Sequence, residues 1–359
     1  MSSDSAGQPA PPNSICLLRL SALGDITHVL PIVHTLRHHW PETKITWVIG
    51  KLEHKLVANL PDVEFIVFDK KNGWREYLKL YRTLKNRRFD RLLVMQVALR
   101  ANLASLCVPA RVKTGYDRAR SKDLHGLFVD ERIAASEREH VVDSFFGFLR
   151  QAGLHAAEKS WQLPITAAAR EFAERHVPEP APLLLISPCS SHARRNWDAP
   201  SYAAVADYAI TRYGFQVALC GGPSETEKAM ATDIMQRAGQ PLINLVGQDT
   251  LQEFLGLLAR ATLLLSPDSG PAHIAACTGT PVLGLYAASN PRRSGPYNSL
   301  RWCVDKYDDA ALKYLGQPDR DIKWGTKIEY PGVMDLITVA DVTGKLDEFM
   351  QHGENTTNG

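Results

Sequence analysis

The chain has 359 residues, 45% of them hydrophobic and 22% charged, and 41 Lys/Arg nearly balance 39 Asp/Glu to leave a net charge of +2. This length exceeds one typical core and points to two domains, with the composition of an ordinary soluble globular protein. No apolar run approaches the roughly 18 residues that a bilayer span needs, which excludes a helical membrane-spanning protein.

The N-terminal MSSDSAGQPAPPNS has no basic-then-apolar pattern, so it does not read as a secretory signal, and residues 1–12 are expected to be disordered. Apolar runs at 15–20, 45–49, 65–68 and 92–95 predict the strands of a first parallel sheet. Between the first two, Val29, Ile32, Val33, Leu36 and Trp40 share one face at helical spacing. The first strand runs into Ser21-Ala22-Leu23-Gly24-Asp25, a turn at the edge where open α/β sheets bind ligands. Asp25 either caps the helix that starts near Ile26 or aims a carboxylate at a ligand. G-x-G-x-x-G follows neither this strand nor any other, which counts against a nicotinamide dehydrogenase.

From Lys70 to Lys122, fifteen Lys/Arg face only Glu76, Asp90 and Asp117, a concentration that the small net charge hides. Trp74, Tyr77, Leu78, Tyr81 and Leu84 can share a helical face there, with Arg75, Lys79, Arg82 and Lys85 around it. A basic amphipathic helix suits an anionic membrane surface. Arg100, Arg111, Lys113, Arg118, Arg120 and Lys122 can instead clamp the phosphates or carboxylates of a ligand, or the whole stretch can be a solvated basic face. No recognised nucleic-acid-binding module accompanies the charge.

Four prolines fall within 164–182, the best linker candidate, although 167–176 has a helical pattern. A second series of strands is expected at 183–187, 217–220, 243–246, 263–266 and 282–286, and the repeated alternation argues for doubly wound α/β sheets. The stretch 263–289, LLLSPDSGPAHIAACTGTPVLGLYAAS, reads as strand, polar turn, small-residue helix and strand. Pro271 fits the first turn of that helix, whose unpaired N–H groups favour a phosphate; Gly270 and Ala272 allow its close approach, and His273 can add a donor. The alternative is an ordinary tight turn. Residues 340–350 have an amphipathic helical pattern, and GENTTNG reads as a frayed tail. The six cysteines show no paired short spacing, so neither a zinc site nor a disulfide framework is indicated; the pattern is that of a reduced, cytoplasmic protein.

Arg19-Leu20-Ser21-Ala22-Leu23-Gly24-Asp25-Ile26-Thr27-His28 resembles the N-terminal motif of the bacterial lipopolysaccharide heptosyltransferases, glycosyltransferase family 9. Ser190-Ser191-x-x-x-Arg195-x-Trp197, Gly222-Pro223-x-Glu225 and Asp268-Ser269-Gly270-x-x-His273 are similar to three further motifs of that family, in the family's order. Gly24-Asp25 followed by His28 and Leu30-Pro31 is most similar to members that add the first heptose. The resemblance implies a GT-B fold: two Rossmann-like α/β domains with parallel sheets facing an interdomain cleft. It places an acceptor domain at 13–163, a linker at 164–182 and a nucleotide-sugar domain at 183–335. A helix at 336–352 would pack back on the first domain, before a disordered 353–359.

The resemblance further implies inverting, metal-independent transfer of heptose from ADP-heptose to the anionic, Kdo–lipid A type inner core. The ADP-sugar is then a substrate, with no cofactor. Asp25 would be catalytic. Ser190, Ser191, Arg195, Glu225, Asp268, Ser269, Gly270 and His273 would bind the nucleotide sugar, and Gly24, His28, Arg100, Arg118, Arg120 and Lys122 the acceptor. The partners would be the donor, a lipid-linked sugar acceptor and the cytoplasmic face of the inner membrane, with no nucleic acid. The chain departs from the family with Arg195 where many members have lysine, and with Val94-Met95-Gln96-Val97 where many have Asp-x-Gln-Gly. Arginine keeps the charge and gains bidentate geometry.

The chemistry of the residues agrees: a departing nucleoside diphosphate builds negative charge and needs fixed donors. Trp197 reads as a packing residue and Asp198 as a helix cap, while Glu225 either binds ribose hydroxyls or decorates a helix start. The alternatives are a family member with another donor or acceptor, an inactive nucleotide-sugar-binding protein, and a sugar-nucleotide epimerase.

Overall fold

A computed structural model describes residues 10–178 and 180–357, with side chains of the last helix described through 353. The chain divides into two compact units between Pro164 and Ile165.

In the first unit, strands β1 (Ser14–Leu18), β2 (Lys44–Gly50), β3 (Val63–Phe68), β4 (Phe89–Val94), β5 (Ala110–Gly115) and β6 (Glu131–Arg132) form one sheet in the order β3-β2-β1-β4-β5-β6. Every pair is parallel. Helices α1 (Leu23–Thr27), α2 (Leu30–His39), α3 (Lys51–Val57), α4 (Trp74–Leu84), α5 (Leu99–Leu106) and α6 (Val141–Gln151) connect and cover it. The apolar face expected for 29–40 is buried in α2: Ile32, Val33 and Leu36 are at most 1% exposed. On the face carrying α4 and α5, Cys16, Leu18, Val48, Leu92 and Val94 pack against Leu80, Leu84, Ala101 and Ala104. Strands β5 and β6 carry no continuous apolar run of the kind found in β1–β4: ARVKTG alternates polar and apolar residues, and β6 is two residues long.

In the second unit, β7 (Leu183–Ile186), β8 (Gln216–Leu219), β9 (Ile243–Asn244), β10 (Leu263–Pro267), β11 (Val282–Tyr286) and β12 (Val304–Asp305) are again all parallel, in the order β12-β11-β10-β7-β8-β9. Numbered from β7, this repeats the topology of the first sheet. Its helices are α7 (Ala167–His176), α8 (Ala199–Tyr213), α9 (Glu225–Arg237), α10 (Leu251–Arg260), α11 (Gly270–Ile274), α12 (Pro291–Ser294), α13 (Tyr307–Leu315) and α14 (Val339–Thr357). Each sheet reverses its order between two adjacent strands, β1/β4 and β7/β10. Ligands of such sheets bind outside the carboxyl ends at these reversals.

Two expectations change. The segment 164–182 is not a free linker, because α7 packs on α10 so closely that a Cβ on Gly256 would land on the Ala169 carbonyl. In the C-terminal helix, Val342 and Leu346 complete the core of the second unit, and Tyr208 and Tyr213 donate to Asp347 at 2.8 and 2.7 Å. That helix also runs to Thr357, so a disordered tail does not begin at 353; residues 358–359, like 1–9, lie outside the described residues. At the other end, Pro12 already accepts a hydrogen bond from Thr43 Oγ1 at 2.7 Å.

Candidate functional site

Each unit carries a polar cluster at its sheet reversal. In the first, β1 ends at Leu18 and the chain turns into α1, where Asp25 occupies the third helical position. Its Oδ2 accepts from the Ala22 N–H at 3.2 Å and pairs with Arg19 Nη2 at 2.5 Å. Asp25 thus caps the helix start, and its side chain stays 39% exposed. Arg19 is itself fixed, donating to the Met95 carbonyl and lying 5.6 Å from the Phe145 ring. Gln96, part of the sequence departure noted above, ties the two strand ends together: it accepts from Leu20 N at 2.8 Å and donates to Ser21 Oγ at 3.1 Å.

Beside this turn lies a pocket of about 220 Å³ lined by Leu20, Ser21, Gly50 and the cations Lys51, Lys55, Lys70, Lys71 and Arg100, with Glu53 and Asp69 as its acids. Gly50 builds it, since a Cβ there would strike the Leu20 carbonyl and Glu53. Lys51 and Lys55 had no signal in the sequence, because only the parallel pairing of β2 with β3 brings 51–55 beside 68–71.

The other residues expected to bind the acceptor divide. Gly24 is buried in α1 beside Asp25. His28 is 4% exposed, edge-on to His140 and Phe145, so it supports the turn from within the core. Arg118 and Lys122 are exposed. Arg120 is committed elsewhere, paired with both Asp117 and Glu139 and donating to the Ala134 carbonyl at 3.0 Å. Lys113 is part-buried on the Ser105 carbonyl at 2.8 Å, and burial lowers its ammonium below the usual lysine range.

In the second unit, the segments after β7 and β10 converge. Asp268 is 7% exposed and receives Lys327 Nζ at 2.8 Å, with Arg195 Nη1 at 3.5 Å and His273 Nε2 at 3.9 Å. Burial pushes the Asp268 carboxyl up, but the Lys327 charge, His273, and hydrogen bonds from Lys327 and Ser289 outweigh it and hold it below its ordinary value. Arg195 is oriented by Glu329, donating to its Oε1 from Nε at 2.8 Å and Nη2 at 2.6 Å; His192 approaches the other oxygen at 3.4 Å. Burial lowers Lys327, partly offset by Asp268. Lys327 and Glu329 were not foreseen: they lie in an irregular segment between α13 and α14, pinned by the Ile328 N–H on the Ala288 carbonyl at 2.8 Å.

Ser190 and Ser191 lie on the same loop as Arg195, where Asn196 Oδ1 accepts from Ser190 N at 2.7 Å. Ser269 caps α11 with extended backbone, its hydroxyl 2.8 Å from that of Ser266, and Gly270 opens the helix. That α-helix is only five residues long before passing into a 3₁₀ turn, Ala275–Thr278, so its dipole is small and the cationic side chains dominate the electrostatics. Glu225 is 90% exposed at the start of α9 and paired with Lys228 at 3.0 Å. It is Glu227 that shapes the loop, accepting from Gly222 N at 2.8 Å. Trp197 packs, as expected, giving its N–H to the Ile337 carbonyl at 3.0 Å, and Asp198 caps α8 through Ser201 N at 2.9 Å. Among the described residues one group could bring three metal-ligating atoms together, His38, His39 and Glu158.

The model of glycosyltransferase family 9 (heptosyltransferase) matches residues 77–323. The chain belongs to glycosyltransferase family 9. This glycosyltransferase is 39% identical over 338 residues to the lipopolysaccharide core heptosyltransferase OpsX of Haemophilus influenzae, covering 94% of this chain and 97% of that one. It is 25% identical to lipopolysaccharide heptosyltransferase 3 of Escherichia coli, over 74% and 80% of the two chains. Solved structures share its GT-B fold. A family 9 glycosyltransferase of Veillonella parvula aligns with a TM-score of 0.79 at 22% identity, covering 95% and 97% of the two chains. The ADP-heptose lipopolysaccharide heptosyltransferase II of Escherichia coli aligns at 0.71 and 18%, covering 95% and 99%.

Proposed function

We propose that this glycosyltransferase moves heptose from ADP-heptose to the anionic inner core of lipopolysaccharide, with inversion and without a metal, at the cytoplasmic face of the inner membrane. The observation that carries it is the Arg195–Asp268–Lys327 cluster at the reversal of the second sheet. Two cations, one of them oriented by Glu329, meet there at the sheet edge where such folds bind ligands, which supports a diphosphate site. As the sugar–phosphate bond breaks, charge builds on the leaving ADP. Fixed Arg195 and Lys327, with Ser190, Ser191 and the Ser269–His273 turn, can take up that charge without reorganising. The exposed Glu225 is available to the ribose hydroxyls.

On the first unit, Asp25 receives the proton of the acceptor hydroxyl. Both described contacts of its carboxylate use Oδ2, so Oδ1 carries the role of base. Lys51, Lys55, Lys70, Lys71 and Arg100 bind acidic groups of the acceptor, assisted by Arg118 and Lys122. The relatives support the donor and the pathway: OpsX is named a lipopolysaccharide core heptosyltransferase, and the heptosyltransferase WaaC of Escherichia coli has been solved with ADP and with ADP-2-deoxy-2-fluoro heptose.

The test incubates the protein with ADP-heptose and heptose-deficient lipopolysaccharide, with and without EDTA. The expected result is a one-heptose mass gain on the acceptor, insensitive to the chelator. Donor conversion without acceptor would instead indicate an epimerase, and donor binding without turnover a binding protein.

A further inference from the structure

Among the described residues, twelve large apolar side chains are exposed, and eight of them belong to the first unit. They cluster. Helix α5 presents Leu99, Leu103 and Leu106, 54%, 39% and 59% exposed, at helical spacing on one face. Its other side is occupied, with Ala101 and Ala104 in the core and Asn102 donating to the Asp123 carbonyl at 2.9 Å. That bond, with Leu99 N on Asp123 Oδ2 at 3.2 Å and His125 Nδ1 on Asn102 Oδ1 at 2.7 Å, seats the 117–127 loop against α5. The loop turns through positive φ at Asp123 and Leu124 and leaves Leu124 and Leu127 72% and 78% exposed.

Helix α4 packs beside α5 and splits its apolar residues, contrary to the single face expected from sequence. Leu80 and Leu84 are buried and Tyr77 packs against that core, whereas Trp74 (69% exposed) and Leu78 turn outward along a shallow groove shared with Arg75, Lys79 and Arg82, and Tyr81 is exposed as well. The apolar residues of α4 and α5 thus sit within a strongly cationic stretch, fifteen Lys/Arg against three acids over 70–122, and Leu124 and Leu127 directly follow it.

We infer that the outward faces of α4, α5 and the 124–127 turn form one docking surface for an anionic lipid bilayer. Apolar side chains ringed by long cations match an interface where hydrocarbon lies below a negative headgroup layer, and the lysine and arginine stems can span both. The charge complementarity selects lipid over a neutral apolar partner. The inference deepens the proposed function, taking from it only that the acceptor is lipid-linked.

The experiment is flotation of the full chain with phosphatidylglycerol-containing or pure phosphatidylcholine vesicles over a range of salt. Alongside it, transfer is measured to an acceptor stripped of its acyl chains. Two variants are compared: the triple Trp74→Ala, Leu103→Ser, Leu127→Ser, and the double Lys79→Glu, Arg82→Glu. Wild type should bind the anionic vesicles and release with salt, and each variant should bind about tenfold or more weakly while transfer to the soluble acceptor is unchanged. Equal flotation on both lipids, or variants that float like wild type, would overturn the inference. Loss of transfer to the soluble acceptor in the wild type would instead strike the proposed function and leave the flotation result standing.

Discussion

Lys327 Nζ stands 2.8 Å from Asp268 Oδ2 across a sequence separation of 59 residues, and this pair organises the cluster at the second sheet's reversal. Asp268 is 7% exposed and would be costly to bury charged without a partner. Lys327 is equally dependent, since burial alone lowers its ammonium. Each therefore fixes the other, and Arg195 completes the group through Asp268 and Glu329.

Arg195→Ala should weaken ADP binding by about 1.5–3 kcal/mol, the scale of hydrogen bonds to charged groups. Lys327→Met should act in the same direction and also lower the melting temperature, because it strips a partner from Asp268. The double variant should lose less than the sum, as both cations share Asp268. Isothermal titration with ADP measures all three; an unchanged dissociation constant in Arg195→Ala would place the diphosphate elsewhere.

Asp25→Asn keeps the bond to Ala22 N–H but loses basicity and the Arg19 ion pair. Turnover should fall by about 10²–10⁴ while ADP affinity holds. Asp25→Ala removes the cap as well and should cost a further 1 kcal/mol or so of stability, on the order of a lost helix cap. Steady-state kinetics beside urea unfolding separates the two contributions, and turnover of the Asn variant within a few-fold of wild type would exclude Asp25 as the base.

Gly256→Ala should destabilise the second unit by about 1–3 kcal/mol, the usual cost of overpacking, because its Cβ meets the Ala169 carbonyl of α7. Chemical denaturation reads this directly. A neutral substitution would mean that α7 is held loosely and behaves as the linker its prolines suggest.

Asp249 supplies a pH dependence. Burial, with the Glu253 and Glu227 carboxylates nearby, pushes its carboxyl up to about 7 from an ordinary 3.8. The folded state then binds the proton more tightly than the unfolded one, so its contribution to stability is full below about pH 4 and is lost as pH rises to about 7. Asp249→Asn should flatten that slope and stabilise the protein above pH 7 by about 1–2 kcal/mol, less than the full shift because the residue is part-exposed. Melting temperatures from pH 5 to 8, on the order of a few degrees apart, are the readout.

The sequence by itself determined the two doubly wound sheets, because strand runs such as 282–286 and the helical face of Val29, Ile32, Val33 and Leu36 are local periodicities written by burial. It also determined the turns at Gly24-Asp25 and Asp268-Ser269-Gly270, since short loops after strands carry their chemistry in contiguous residues. Tertiary structure alone decided the partners of those residues. Lys327, Glu329, Lys51 and Lys55 sit in segments with no motif of their own and gain meaning only when parallel strands bring distant loop ends together. It also decided which cations stay available, committing Arg120 to Asp117 and Glu139 while leaving Arg118 and Lys122 exposed, and it turned α4 so that Trp74 faces outward and Leu84 inward. Helical spacing says which side chains share a face, but only the neighbouring elements decide which face is covered.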